Sequence, residues 1–167
     1  IAISGIYPVQ SDTHARFDAI QRHYQYRLTR EKNPFHKDLL AHYKKQATLD
    51  WDLMNQGATL LLKYQDYECF CRKKAAVNNY LCTITHAKWT KRDDGVWIFD
   101  IAANRFLWGM VRTIVGTLID VGTTKLSLAD FEEIILSKER QNAGGAAPAE
   151  GLFLSDVIYP ESIWLKG

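Results

Sequence analysis

The segment Asn104–Gly116, NRFLWGMVRTIVG, reads as the interior of a protein with one guanidinium set into it. Taken as a helix, it places Trp108, Gly109, Val115 and Gly116 three or four residues from Arg112, so both glycines share the arginine's face. A glycine inside a helix costs about 1 kcal/mol relative to alanine, so two of them beside one arginine predict that something approaches closely there. A guanidinium keeps its charge, and breaking a buried ion pair costs about 3–5 kcal/mol. Arg112 therefore needs a carboxylate, a phosphate or an exit to water, with Asp100 and Asp120 as candidate structural partners.

The remaining features bound the protein class. A chain of 167 residues, 47% of them hydrophobic, supports a single domain over residues 1–167 with a full core. A net charge of +2 permits a nucleic-acid partner without requiring one. No apolar run has the length of a membrane span, and IAISGIYPVQ lacks a signal peptide's basic start, so a cytoplasmic protein is expected. The start at Ile1 raises the expectation of a processed form or a piece of a longer protein. Three cysteines are too few for a disulfide scaffold. Cys69, Cys71 and Cys82 with His86 have the ligand count of a zinc site, but zinc sites more often use C-x2-C pairs and these cysteines lie among strand-like residues, so small buried apolar side chains are the simpler reading.

Along the chain, HARFDAIQRHYQYRL (14–28) holds two short strand-like runs, the second alternating Tyr24 and Tyr26 against Gln25 and Arg27. A loop follows at Asn33 and Pro34. Asp50 is an N-cap candidate for a helix carrying Leu53, Met54, Gly57, Ala58, Leu61 and Leu62 at helical spacing. YECFCRKKAAVNN predicts a short strand entering a basic loop. LCTITHAKW and VWIFDIAA form a hairpin around Asp94-Gly95, with Trp97, Phe99, Ile101 and Ala103 on one face. The Arg112 helix then ends at Gly122, read as a left-handed C′ residue. Ser127 and Asp130 suggest a capping box for the next helix, NAGGAAPAEG a flexible loop, and LFLSDVIYP a last strand. The fold class is α+β, a mainly antiparallel sheet with helices on one face.

Three blocks, HARFDAIQRHYQY, NRFLWGMVRTIVGTLIDVG and APAEGLFLSDVIYP, resemble in order and spacing the TruA family of tRNA pseudouridine synthases. The resemblance spans nearly the whole chain. It implies the mixed, mainly antiparallel sheet of such synthases and isomerisation of uridine to pseudouridine in the anticodon stem-loop, around tRNA positions 38 to 40. It implies no cofactor and no metal, tRNA as partner, and a homodimer. The family's catalytic aspartate lies in an R-T-D-A-G-V-H motif of the front half, which these residues do not contain. Arg92–Val96 echoes that motif but is one residue short and falls in the hairpin turn.

By the same resemblance, Tyr24 is the tyrosine that stacks on the target base, and Arg112 the arginine that pairs with the catalytic aspartate. Phe106 and Leu107 would be apolar walls. Arg16, in the HARF segment with His14 and Phe17, would meet phosphate or brace the cleft. Arg22, Arg27, Arg30, Arg72, Lys73 and Lys74 are candidate phosphate contacts or solvated surface. Cys82 stands where many members carry a basic residue, and Arg105 replaces a smaller one. A fragment inactive by itself is expected; the alternatives are a noncatalytic RNA-binding α+β module and a metal-stabilised domain.

Overall fold

The computed structural model describes residues 3, 5–31, 39–43, 48–72 and 79–165. Lys73, Lys74, Asn33 and Pro34 lie outside them. Five strands, β1 (Gln21–Thr29), β2 (Ala41–His42), β3 (Ile84–Lys91), β4 (Trp97–Ala103) and β5 (Leu152–Ile158), form one sheet with helices α1 (Trp51–Leu60), α2 (Met110–Gly122) and α3 (Leu128–Ser137). Its order is β2-β1-β4-β3, with β5 also on β1. The short β1–β2 pairing is parallel and the others antiparallel, which agrees with the α+β class.

Period-two alternation decides which face is covered. Tyr26 and Leu28 of β1, opposite Phe99 and Trp97 of β4, point to the side where α1 and α2 pack. Tyr26, Phe99, Ile101 and Trp89 are fully buried there beside Met110, Ile114 and Leu118 of α2. The opposite face carries Gln25, whose amide donates to Asp100 Oδ1 at 2.9 Å. Gly95 supplies the left-handed residue of the β3–β4 turn, at φ +81°. Asp50 caps α1 through Leu53 N at 2.9 Å, and Ser127 and Asp130 form the reciprocal capping box of α3.

Five local expectations are corrected. Residues 14–18 are turns rather than a first strand, because Phe17 N and Asp18 N donate to the His14 carbonyl and His14 N to Asp18 Oδ2. Glu68–Phe70 is a short 3₁₀ turn, not a strand, where Asp66 Oδ1 captures the Glu68 amide. The Arg112 helix starts only at Met110, since Gly109 takes φ +74° in a turn that Met110 N closes by donating to the Leu107 carbonyl at 3.1 Å. Gly109 is thus its cap, not an interior residue. Gly122 stays helical, and the left-handed position after it is Thr124 at φ 57°. Smallness at Gly122 serves packing: a Cβ there would meet Met54 Sδ at 2.6 Å, and its carbonyl accepts the Asp50 amide at 2.8 Å.

The fifth correction concerns the loop 143–151, which is pinned rather than loose. Gly144 N donates to Thr117 Oγ1 at 3.0 Å, Ala147 N to the Arg112 carbonyl at 2.9 Å, and Tyr26 OH to the Pro148 carbonyl at 2.9 Å. Its small residues let the loop backbone lie on α2. A Cβ on Gly116 would collide with the Gly145 carbonyl oxygen, so the close approach predicted beside Arg112 is made by this loop.

Candidate active site

Tyr24 stands two residues before buried Tyr26 on the same face of β1, so it inherits the core-facing direction. It is only half-buried, and Phe106 meets it edge-on with ring centroids 5.1 Å apart and planes at 87°. Phe106 and Leu107 come from the turn between β4 and α2. Asn104 anchors that turn: its side chain accepts Thr83 N at 2.7 Å and its amide donates to the Thr83 carbonyl at 3.2 Å.

Arg112 belongs to the first turn of α2, not to mid-helix. Its Nε donates to the Ala147 carbonyl at 2.6 Å, while the Ala147 amide returns a bond to the Arg112 carbonyl. Neither acid considered from the sequence is its partner: Asp120 pairs with Lys125 at 3.1 Å and Asp100 accepts from Gln25. Among the described residues Arg112 makes no ion pair. A guanidinium beside a helix N-terminus adds one positive potential to another, an arrangement that favours a carboxylate or phosphate.

These groups converge. Arg16, Tyr24, Arg72, Phe106, Leu107 and Arg112 line one cleft of about 530 Å³, together with Trp108, Gly109, Ala146 and Leu152. A second hollow of about 770 Å³ shares Arg16, Tyr24 and Phe106 with it and extends toward Phe17, Arg22, Arg105 and Tyr159. Gly109 is required on two counts, its positive φ and the Arg72 Cβ, which would lie 2.9 Å from a Cβ at position 109. Arg72 N donates to the Trp108 carbonyl at 2.8 Å and its guanidinium lies 5.9 Å from the Trp108 ring centroid. Nothing in the sequence marks Ala147 as a partner of Arg112, whereas Trp108 stands out there only as a neighbour of Arg112 at helical spacing.

The other basic residues diverge. Arg27 covers the Phe153 ring at 4.5 Å, and Arg30 is exposed beyond the end of β1. Arg22 spends its donors on backbone carbonyls of Arg16, Ala19 and Asn104. Arg105 Nη1 donates to Asn79 Oδ1 at 3.3 Å. The Arg92–Val96 echo sits in the exposed hairpin turn, where Arg92 pairs with Asp94 at 3.2 Å.

The cysteine and histidine grouping forms no metal site among the described residues. Cys69, Cys71 and Cys82 are buried while His86 is exposed on β3, and among the described residues no three His, Cys, Asp or Glu are arranged to hold a metal ion. Burial pushes the Cys69 thiol up to about 12 and the Cys82 thiol to about 11. Both thiols are protonated core side chains near neutral pH. No helix among the described residues is long and apolar enough to cross a membrane.

A family profile described as tRNA pseudouridine synthase matches residues 60–160. The chain is 47% identical over 166 residues to a "tRNA pseudouridine synthase A" of Porphyromonas gingivalis, covering 99% of this chain and 65% of that protein. It is 43% identical over 164 residues to one from Parabacteroides distasonis, with coverages of 98% and 64%. The Bacillus licheniformis protein of the same name is 37% identical over 151 residues, with coverages of 90% and 61%. The chain thus spans less than two thirds of the length of the relatives it matches. With the profile covering more than half of its residues, and the three motif blocks converging on one cleft, the chain belongs to the TruA family of tRNA pseudouridine synthases.

Proposed function

We propose that this chain is the C-terminal portion of an isomerase that converts uridine to pseudouridine in the tRNA anticodon stem-loop. The supporting observation is that Tyr24, Arg112, Phe106, Leu107, Arg16 and Arg72, from separated segments, line one cleft in a member of the synthase family. In this reading the reaction is an isomerisation: the bond from ribose to the base nitrogen breaks, the bond from ribose to a ring carbon forms, a proton leaves that carbon, and the freed ring nitrogen takes one up, so that no atom is gained or lost.

The target base stacks on Tyr24, a contact of about 1–3 kcal/mol that offsets part of the cost of extruding it. Arg112 pairs with an aspartate supplied by the front part of the longer protein, which keeps that aspartate ionised and aimed. At ~4 Å and an effective dielectric near 20 the pair has about 4 kcal/mol of Coulomb attraction before desolvation is subtracted. Arg16 and Arg72, with Lys73, give the phosphate backbone cationic partners. The intact enzyme acts in the cytoplasm as a homodimer and uses neither cofactor nor metal. The present chain alone is inactive.

The test is pseudouridine formation in tRNA by the 167-residue chain and by the same chain joined to a TruA front half. Activity only in the joined protein, lost on Arg112→Ala, is the expected result. Pseudouridine made by the 167-residue chain alone, or none made by the joined protein, overturns the reading. Specific tRNA binding without turnover in either form would favour the RNA-binding module.

A further inference from the structure

We infer that Arg22 is a positioning residue that sets the spacing between two walls of the cleft, rather than a phosphate contact; the inference rests on the proposed function for its catalytic consequence, but not for its geometry. Arg22 lies on β1 opposite Ala103, two residues before Tyr24 and on the same face. Its Nη1 donates to the Ala19 carbonyl at 2.6 Å and the Asn104 carbonyl at 2.7 Å, and its Nη2 donates to the Arg16 carbonyl. One half-buried side chain therefore joins the 14–19 turn to the Asn104 corner, which lies 82 residues from Arg22 in the chain.

Each wall carries a group of the cleft: Arg16 on the first, Phe106 just after the second. Tyr24 lines the same hollows as both and meets Phe106 edge-on. A planar guanidinium can serve three carbonyls in fixed directions, whereas an ammonium on a flexible stem holds the charge without that fork. Backbone carbonyls as acceptors mean that the surrounding chain, not a particular neighbouring side chain, is what Arg22 reads. Tyr159 OH also ties the 14–19 turn, donating to the Ala15 carbonyl at 2.7 Å, so loss of Arg22 would loosen it without releasing it.

The experiment has two arms. In the 167-residue chain, deuterium uptake is measured for wild type and Arg22→Lys; the expected result is at least a 10-fold faster exchange of residues 14–19 with an unchanged rate in α3. In the joined enzyme, kcat and tRNA affinity are measured at two salt concentrations; kcat is expected to fall at least 10-fold in Arg22→Lys, with affinity and salt slope within about 2-fold of wild type. A phosphate contact predicts the opposite, rescue by lysine with Arg22→Gln lowering the salt slope by about one, and that outcome overturns the inference. Unchanged exchange in residues 14–19 overturns it as well. If Arg22→Lys fails to fold, Arg22→Gln is carried through the exchange arm. A wild-type joined enzyme that makes no pseudouridine removes the proposed function alone, because the exchange arm still decides whether Arg22 holds the two walls.

Discussion

Arg112 and Ala147 exchange two hydrogen bonds, Nε to carbonyl at 2.6 Å and amide to carbonyl at 2.9 Å. The pair closes the junction of α2 with the loop 143–151 and fixes where the guanidinium begins. Nε of the side chain is used to orient it, in a residue that lines the cleft.

That division of labour predicts different behaviour for two substitutions at one position. In the joined enzyme Arg112→Ala should abolish pseudouridine formation. Arg112→Lys keeps the charge but loses the Nε donor, so activity should drop by at least 10-fold without rescue to wild type. Full activity of the lysine variant in a tritium-release or mass-spectrometric assay would show that charge alone suffices.

Gly116→Ala should destabilise the fold by about 1–3 kcal/mol, the usual cost of overpacking, because its Cβ collides with the Gly145 carbonyl. Gly145→Ala, with nothing within 4 Å of its Cβ, should change stability by less than about 0.5 kcal/mol. Urea unfolding of the two variants beside wild type checks both, and equal midpoints would refute the close approach.

Tyr24 should separate stacking from its hydroxyl. Tyr24→Phe keeps the ring and the edge-on contact with Phe106, so tRNA affinity in the joined enzyme should be retained. Tyr24→Ala removes the ring and should cost about 1–3 kcal/mol of base stacking. A binding titration in which alanine and phenylalanine behave alike would exclude a stacking role.

The buried thiols give the fold an alkaline weakness. The Cys69 and Cys82 thiols rise from 9.0 to about 12 and about 11, chiefly by desolvation on burial. Below pH 9 both folded and unfolded chains keep these protons, so the thiols impose no pH dependence. Between pH 9 and 11 the unfolded chain releases them first, and stability falls by about 1.4 kcal/mol per pH unit for each thiol. Cys82→Ala should flatten that slope in denaturation curves recorded across pH 8–10.5; an unaltered slope would contradict the burial.

Features carried by neighbours in the chain were legible in the sequence. Asp50 and the Ser127–Asp130 box bond amides three residues away, and Gly95 meets the local demand of a tight turn. Alternation placed Trp97, Phe99, Ile101 and Ala103 on one face because side chains of a strand must alternate. The motif blocks identified Tyr24, Phe106, Leu107 and Arg112, which then met in one cleft. A local capture, His14 N by Asp18, hid the turn at His14, and the positive φ of Gly109 hid the late start of α2, since neither follows from the periodicity that assigns strand or helix.

The sequence alone therefore determined that Arg112 needed a partner and that a glycine on its face invited close approach. Only the tertiary structure decided that Ala147, 35 residues on, accepts from it, that the Gly145 carbonyl fills the space beside Gly116, and that Arg22 holds two turns together instead of standing free. Backbone carbonyls are present in every residue and leave no mark in side-chain chemistry. Which of them a half-buried guanidinium finds is settled by how the sheet, α2 and the loop pack, and by nothing along the chain.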